Sequence, residues 1–225
     1  MEPVAGLRAR KKEQTRQAIA TAAFELFALR GFDRVTVAEI ARRADVSEAT
    51  VFNHFRTKEE LIYRPLEEYE AALVAAVRDR PPGQPVVDAF AAFLVRQQGL
   101  LANDDPNDEQ RLATVSRIIT ESPALLARER QVYEDHVTLL AAVLADESSA
   151  RPDDIRPWIV ANALIGAQRA LVDRVRTSVL AGRRGPALAR QARIQAEQAL
   201  AVLGQGLADY LPRTDQARGK RTHTS

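Results

Sequence analysis

Residues 36–55 read TVAEIARRADVSEATVFNHF, and they indicate how the chain around them folds. Thr36 with the glutamate three residues later forms a capping-box pattern, and the apolar positions that follow predict a helix of two turns. Asp45 then interrupts the apolar pattern, and Ser47 provides the N-cap of a second short helix. The segment therefore predicts two short helices joined by a tight turn.

The turn between these helices has residues suited to a close helix crossing. Ala41 and Ala44 are small where the helices must approach, and Val46 can pack between them. Asp45 is one of the few non-glycine types that tolerate a left-handed backbone conformation. Such a pair lets the second helix lie in the major groove of DNA while the first crosses the backbone, although short helical hairpins also occur in ordinary bundles.

Outward from this segment the chain keeps a helical period, and it has no convincing alternating pattern of the kind that marks a strand. The fold class is therefore all-α, with about nine helices. The strongest interruption is Arg80 to Pro85, which contains two adjacent prolines and a glycine. The predicted helices are residues 12–30, 37–44, 48–55, 58–79, 86–102, 108–120, 123–146, 154–181 and 186–211.

Composition excludes several classes of function. The 225 residues include no cysteine and three histidines, so a disulfide framework, a thiol nucleophile and a cysteine-ligated metal are excluded. We find no phosphate loop, nucleophile elbow or zinc-protease motif, and Glu134, Asp135 and His136 point in different directions on one helix turn. We therefore expect no enzyme, cofactor or metal site, and, because no apolar run spans a bilayer, a cytoplasmic protein without a membrane partner.

The positive charge is concentrated near the N-terminus. The net charge is +2, and residues 1–63 hold 11 Lys/Arg against nine Asp/Glu. Arg8, Arg10, Lys11 and Lys12 form a basic arm that either contacts phosphate or is a solvated terminus. The C-terminal residues 212–225 are polar and predict a disordered tail.

The pattern extends well beyond the two short helices. It comprises Phe24, Phe27, Gly31-Phe32, Val35-Thr36-Val37, Ile40-Ala41, Val46-Ser47, Ala49-Thr50-Val51-Phe52, His54-Phe55 and Thr57-Lys58-Glu59-Glu60-Leu61. In this order and spacing, these residues closely resemble the DNA-binding domain of the tetracycline-repressor (TetR) family of bacterial regulators, over residues 13–63. The resemblance implies a helix-turn-helix DNA-binding domain over residues 1–63 and a helical effector-binding and dimerisation domain over residues 64–211.

The resemblance also implies which residues contact double-stranded DNA. Phosphate contacts are expected from groups that present a donor or a positive charge, which are Thr36, Ser47, Thr50, His54 and Lys58. Base contacts are expected from Glu48, Ala49 and Asn53, with Arg42 and Arg43 as adjacent candidates. Phe52 stands where the family usually has tyrosine, so it offers apolar contact and no hydroxyl donor.

The remaining helices are expected to bind a small-molecule effector and to form a homodimer through the last two long helices. Residues on or beside apolar faces are the candidates, although core packing is an alternative for most of them. They are Phe90, Phe93, Gln97, Ile118, Tyr133, His136, Trp158, Asn162 and Arg169. A weaker similarity to regulatory domains with acyl-chain ligands favours a hydrophobic effector.

The expected function is a ligand-responsive repressor that leaves a palindromic operator when its effector binds and shifts the fourth helix. A TetR-type activator, a ligand-independent DNA binder and a helical interaction module are the alternatives.

Overall fold

The computed structural model describes residues 3–96 and 106–207, and this part of the chain contains nine α-helices and no strand. The helices are α1 (Pro3–Arg30), α2 (Val37–Arg43), α3 (Glu48–His54), α4 (Glu60–Arg78), α5 (Val86–Arg96), α6 (Pro106–Thr120), α7 (Pro123–Ser148), α8 (Arg156–Leu180) and α9 (Pro186–Leu207). The all-α prediction is confirmed. Within the described ranges, no helix combines the length and the apolar character that crossing a membrane requires.

The chain divides into two compact units. Unit 1 comprises residues 1–67 and 111–131. Its core is built from the inner faces of α1, α2 and α3 together with the end of α6 and the start of α7. The buried members include Ile19, Phe27, Ile40, Val51, Phe55, Ile118 and Leu125.

Unit 2 comprises residues 68–110 and 132–225. Its core contains the apolar faces of α4, α5, α7, α8 and α9, with Phe90, Leu140 and Leu164 fully buried. The loop after α4 is fixed by the buried Arg80, whose guanidinium makes two bonds of 2.7 and 2.8 Å to the Glu147 carboxylate. The same guanidinium donates to the carbonyls of Val77 and Gln84. The proline-rich interruption is therefore an ordered corner.

The structure differs from the sequence predictions in two places that matter for function: the start of the first helix and the boundary between the two domains. α1 begins at Pro3, so the basic arm is helical, whereas apolar periodicity alone placed its start near residue 12. Residues 111–131 pack in the core of unit 1, although the sequence assigned them to the second domain. The ends of two expected helices, residues 97–102 and 208–211, and the expected tail lie outside the described residues.

Candidate functional site

The N-terminus of α2 is fixed by a complete capping box. The Thr36 hydroxyl accepts from the Glu39 backbone N–H, and the Glu39 carboxylate accepts from the Thr36 backbone N–H at 2.8 Å. Arg30 adds two bonds to the same carboxylate, at 2.8 and 3.0 Å. The Arg30 guanidinium, with the Thr36 backbone N–H, lowers the pKa of Glu39 to about 2. The Thr36 hydroxyl also donates to Glu39, so this predicted phosphate contact already serves the cap.

The turn between α2 and α3 has the geometry that its residues predict. Asp45 has φ = 54°, in the left-handed region, and the Val46 N–H donates to the Ala41 carbonyl at 3.0 Å. Ser47 then caps α3, because its Oγ accepts from the Thr50 N–H at 3.1 Å. The Ser47 and Thr50 hydroxyl oxygens are 2.8 Å apart. Two predicted phosphate contacts are thus held together at the start of α3.

The outer side of α3 presents the predicted base-contacting residues. Glu48, Ala49 and Asn53 are exposed, while Val51 is buried in the core of unit 1. Phe52, which is 50% exposed, lies among them. The helix therefore has a fixed inner side and an outer side with two polar groups, a methyl group and an aromatic ring.

Lys58 has a contact set that the sequence did not reveal. Its ammonium donates to the carbonyls of Phe32 and Val35, at 3.1 and 3.0 Å, and lies 4.1 Å from the centre of the Phe32 ring. Two of its three N–H groups are therefore used to fix the loop between α1 and α2. A phosphate contact by Lys58 stays a prediction, and it would fall to the third N–H.

The other predicted cations differ in their surroundings. Arg42 is exposed on α2, whereas Arg43 donates to the Glu25 carboxylate at 2.6 Å. His54 is partly buried at the end of α3, and its backbone carbonyl accepts from Arg64 at 2.7 Å. Burial, then the charges of Lys12, Arg64 and Arg16, lower the pKa of His54. A neutral imidazole donates to phosphate from at most one ring nitrogen.

Sequence reasoning missed the residues that join α6 and α7 to the helix-turn-helix core. Arg117 donates to the Ala28 carbonyl at 2.7 Å, and the Ser122 hydroxyl donates to Asp33 at 2.8 Å. The Tyr63 hydroxyl donates to the Leu125 carbonyl at 3.0 Å. Arg117 also pairs with Glu121, one turn further along α6, at 3.4 Å. Helix spacing carries no signal for the other three contacts, whose partners are 62 or 89 positions apart.

The second unit brings together part of the predicted effector site. Phe90, Phe93 and Tyr133 are buried in one core cluster. His136 is 1% exposed and meets the Tyr133 ring edge-on at 6.1 Å, and the Arg169 guanidinium lies 5.7 Å from the same ring. Burial lowers the pKa of His136 to about 4, against the opposing effect of Asp135, so the imidazole is neutral at pH 7.

Other members of the predicted effector set are not brought to this cluster. Ile118 is fully buried in the core of unit 1, because the apolar face of α6 packs there in its second half. Trp158 and Asn162 are exposed on α8, where the Asn162 amide donates to the Trp158 carbonyl at 2.8 Å. Gln97 lies outside the described residues.

Gln168 is a candidate that the sequence analysis overlooked. It is 4% exposed, and its Oε1 has no hydrogen-bond partner within the described ranges. A buried amide oxygen without a donor costs free energy, so it marks a position where a bound molecule can supply one. Its place one turn after the buried Leu164 on α8 was the available signal.

Two models of protein families match the chain. The model described as "Bacterial regulatory proteins, tetR family" matches residues 19–64, which contain α2, α3 and the end of α1. The model described as "MftR C-terminal domain" matches residues 84–179. These two segments correspond to the helix-turn-helix region and to most of the remaining described helices.

Two relatives of the chain are named as helix-turn-helix transcriptional regulators. The HTH-type transcriptional regulator TcmR of Streptomyces glaucescens is 35% identical over 161 residues, covering 69% of this chain and 70% of that protein. The HTH-type transcriptional activator FasR of Mycolicibacterium smegmatis is 30% identical over 164 residues, covering 66% and 74%. The chain belongs to the tetR family and is a DNA-binding transcriptional regulator of the helix-turn-helix type.

Solved structures agree with the fold. NalD, described as the secondary repressor of the MexAB-OprM multidrug efflux pump in Pseudomonas aeruginosa, has a TM-score of 0.55 at 20% identity, covering 87% of this chain and 98% of that one. FadR of Bacillus subtilis, in complex with stearoyl-CoA, has a TM-score of 0.53 at 18% identity, covering 82% and 97%. At these identities the likeness concerns the fold alone.

Proposed function

We propose that the protein is a homodimeric, ligand-responsive repressor that binds a palindromic operator through α3 and is released by a hydrophobic or acyl-like molecule. The observation that carries the proposal is the exposed row of Glu48, Ala49 and Asn53 on a helix whose inner side is anchored in the core. Asparagine can pair with adenine through two bonds, glutamate can accept from cytosine, and alanine can contact a thymine methyl group. The row therefore supplies base-reading groups on a rigid element.

Homodimerisation is supported by the exposed apolar side chains at the last two helices. The large ones in the described residues are Ile155, at the N-cap position of α8, and Trp158, Ile159, Val172, Leu180, Ile194 and Val202. If this surface packs against the same surface of a second copy, its apolar side chains are removed from water. The twofold axis of such a dimer relates two copies of α3, which can contact DNA together. Two such helices require half-sites about one helical turn apart or somewhat more.

The effector site is proposed around Tyr133, His136 and Gln168 in unit 2. The apolar cluster beside Tyr133 favours a largely hydrophobic ligand, and the neutral imidazole of His136 offers no charge to an ionic one. Gln168 Oε1 favours a ligand with a hydrogen-bond donor. The stearoyl-CoA bound to FadR makes long-chain acyl-CoA the first probe to test.

The two activities would be coupled through α4, α6 and α7, because each of these helices contributes residues to both compact units. The bonds from Arg117, Ser122 and Tyr63 fix the α6–α7 corner to the core that carries α3. An effector that prefers one arrangement of these helices changes operator affinity by its difference in affinity for the two states. A coupling of about 1–3 kcal/mol, or roughly 5- to 150-fold, is typical.

The test begins with selection of bound sequences from a random duplex pool by the purified protein. We expect a palindromic consensus, bound far more tightly than random DNA. Fluorescence anisotropy of that duplex, titrated with stearoyl-CoA and with free coenzyme A as control, then measures the coupling. Binding without a consensus would reject operator-specific regulation, and unchanged affinity at saturating stearoyl-CoA would reject long-chain acyl-CoA as the inducer.

Activation is the second candidate function, because FasR is named a transcriptional activator at 30% identity. The position of the selected site relative to a promoter distinguishes the two. Transcription in vitro from a template with the site in its natural place should fall on addition of the protein if it represses. A rise would establish activation.

A further inference from the structure

The N-terminal part of α1 carries only positive charge, and it lies outside the helix-turn-helix. Between Pro3 and Lys12 the helix has four basic residues and no acidic one. The side chains of Arg8, Arg10, Lys11 and Lys12 are exposed. Because these residues are in a continuous helix, their charges are held at fixed positions.

The helical register places two of these cations on one line. Arg8, Lys12 and Arg16 are four residues apart, so their side chains follow one another along one face of α1. Arg16 is paired with Glu13 at 2.5 Å. In the described part of the chain, neither Arg8 nor Lys12 has an ion-pair partner, so the outer end of this line keeps its positive charge.

This line runs beside the C-terminal end of α3. The line continues to Ile19, which lies seven residues after Lys12 on the same face of α1 and is buried in one core with Val51 of α3 and its C-cap Phe55. In agreement with this packing, burial and then the positive charge of Lys12 lower the pKa of His54, the last residue of α3. Arg64 donates to the His54 carbonyl at 2.7 Å. The side of α1 that bears Lys12 is therefore the side next to the end of the recognition helix, one residue after the exposed Asn53.

We propose that Arg8 and Lys12 form a second DNA contact, which binds the phosphate backbone beyond the segment read by α3. The proposal rests on the proposed operator binding and adds a contact that carries no base specificity. Duplex DNA is the polyanion that α3 brings to this end of unit 1, and guanidinium and ammonium groups bind its phosphates whatever the sequence. The contact would also compensate for the absence of a phosphate-binding hydroxyl at Phe52.

The test is the variant Arg8→Gln/Lys12→Gln, compared with Arg78→Gln/Arg151→Gln. Both variants lose two positive charges from exposed side chains, and the control charges lie in unit 2. Affinity for the selected operator and for a random duplex is measured against salt concentration. Each phosphate contact contributes about 0.9 to the slope of log K against log [salt], so we expect the slope to fall by about 1.8 in the first variant and to stay unchanged in the control.

We also expect the first variant to lose about the same factor, roughly tenfold, on both duplexes, because phosphate contacts do not distinguish sequences. Hydroxyl-radical footprinting should show that it loses protection at the edge of the wild-type footprint. Thermal unfolding checks that the variants are folded.

The outcomes separate the two proposals. A wild-type slope in the first variant, on an operator that the wild type selects, overturns the contact and leaves operator binding intact. A reduced slope on random DNA without any consensus supports the contact and overturns operator-specific regulation. Absence of duplex binding by the wild type at low salt overturns both.

Discussion

Phe52 is half exposed among the proposed base-contacting residues of α3, where an aromatic ring without a hydroxyl can make only apolar contact. Phe52→Tyr adds one donor at this position, and the exposed ring leaves room for it. We expect operator affinity to increase about 3- to 10-fold, in line with about 1 kcal/mol for one neutral hydrogen bond. Anisotropy titration measures the gain. Phe52→Leu is the control without a hydroxyl, and an equal gain in that variant would contradict the explanation.

A single substitution tests whether Lys58 has a structural role, a DNA-binding role or both. Lys58→Met keeps the aliphatic stem and removes the ammonium, which leaves the Phe32 and Val35 carbonyls without their donor. We expect the free energy of unfolding of unit 1 to fall by about 1–2 kcal/mol, and amide exchange in α2 and α3 to accelerate accordingly.

The salt dependence of DNA binding provides the decisive comparison for Lys58. If the ammonium serves only the loop, the slope of log K against log [salt] in Lys58→Met stays at the wild-type value. A slope reduced by about 0.9, with unchanged amide exchange, would instead establish the phosphate contact that the resemblance predicts. The measurement is made well below the unfolding temperature of the variant.

At the scale of helices, local sequence signals predicted the recognition element well. The capping box at Thr36, the N-cap at Ser47 and the left-handed turn at Asp45 each follow from short-range hydrogen bonding, and the structure has all three. The predicted start of α1 was wrong, because the first turns of this helix are polar and produce no apolar period. Periodicity indicates that α6 has an apolar face, but it cannot identify a partner surface such as the one that buries Ile118.

The corner between α4 and α5 depends on the ion pair between the buried Arg80 and the partly exposed Glu147. Arg80→Met leaves the Glu147 carboxylate without its charged partner and removes the donor from two carbonyls. Breaking a fully buried pair from one side typically costs about 3–5 kcal/mol. Because water partly solvates the Glu147 carboxylate, which is 23% exposed, we expect a loss near the lower end of this range. Urea unfolding followed by the fluorescence of Trp158, the single tryptophan, reports on unit 2.

The exposed pair Arg151 and Asp153, at 3.0 Å, is the matched control for this experiment. Both side chains are mostly exposed, and such pairs contribute about 0–1 kcal/mol. Arg151→Met should therefore leave the unfolding midpoint nearly unchanged. Equal losses in the two arginine variants would show that the pair of Arg80 and Glu147 is not the source of the corner's stability.

At the scale of the whole molecule, the proposed DNA-binding and effector-binding residues belong to different compact units, each with its own hydrophobic core. α4, α6 and α7 each contribute residues to both units, so a signal between the cores has three covalent routes. α4 also contains Pro65, two residues before the boundary at residue 67. A proline inside a helix removes one backbone hydrogen bond, which makes this turn a natural place for bending.

In the proposed dimer, the exposed apolar side chains of α8 and α9 form the interface. Ile159→Lys puts a charge in the proposed interface, since this residue is 54% exposed in the single chain. We expect the dimer to dissociate at micromolar concentration and operator affinity to fall at least 100-fold, because one monomer contacts a single half-site. Leu139→Lys, on α7 at 47% exposure, is the control and should leave both properties unchanged. Light scattering coupled to gel filtration gives the mass, and an Ile159→Lys protein that keeps the mass of a dimer would place the interface elsewhere.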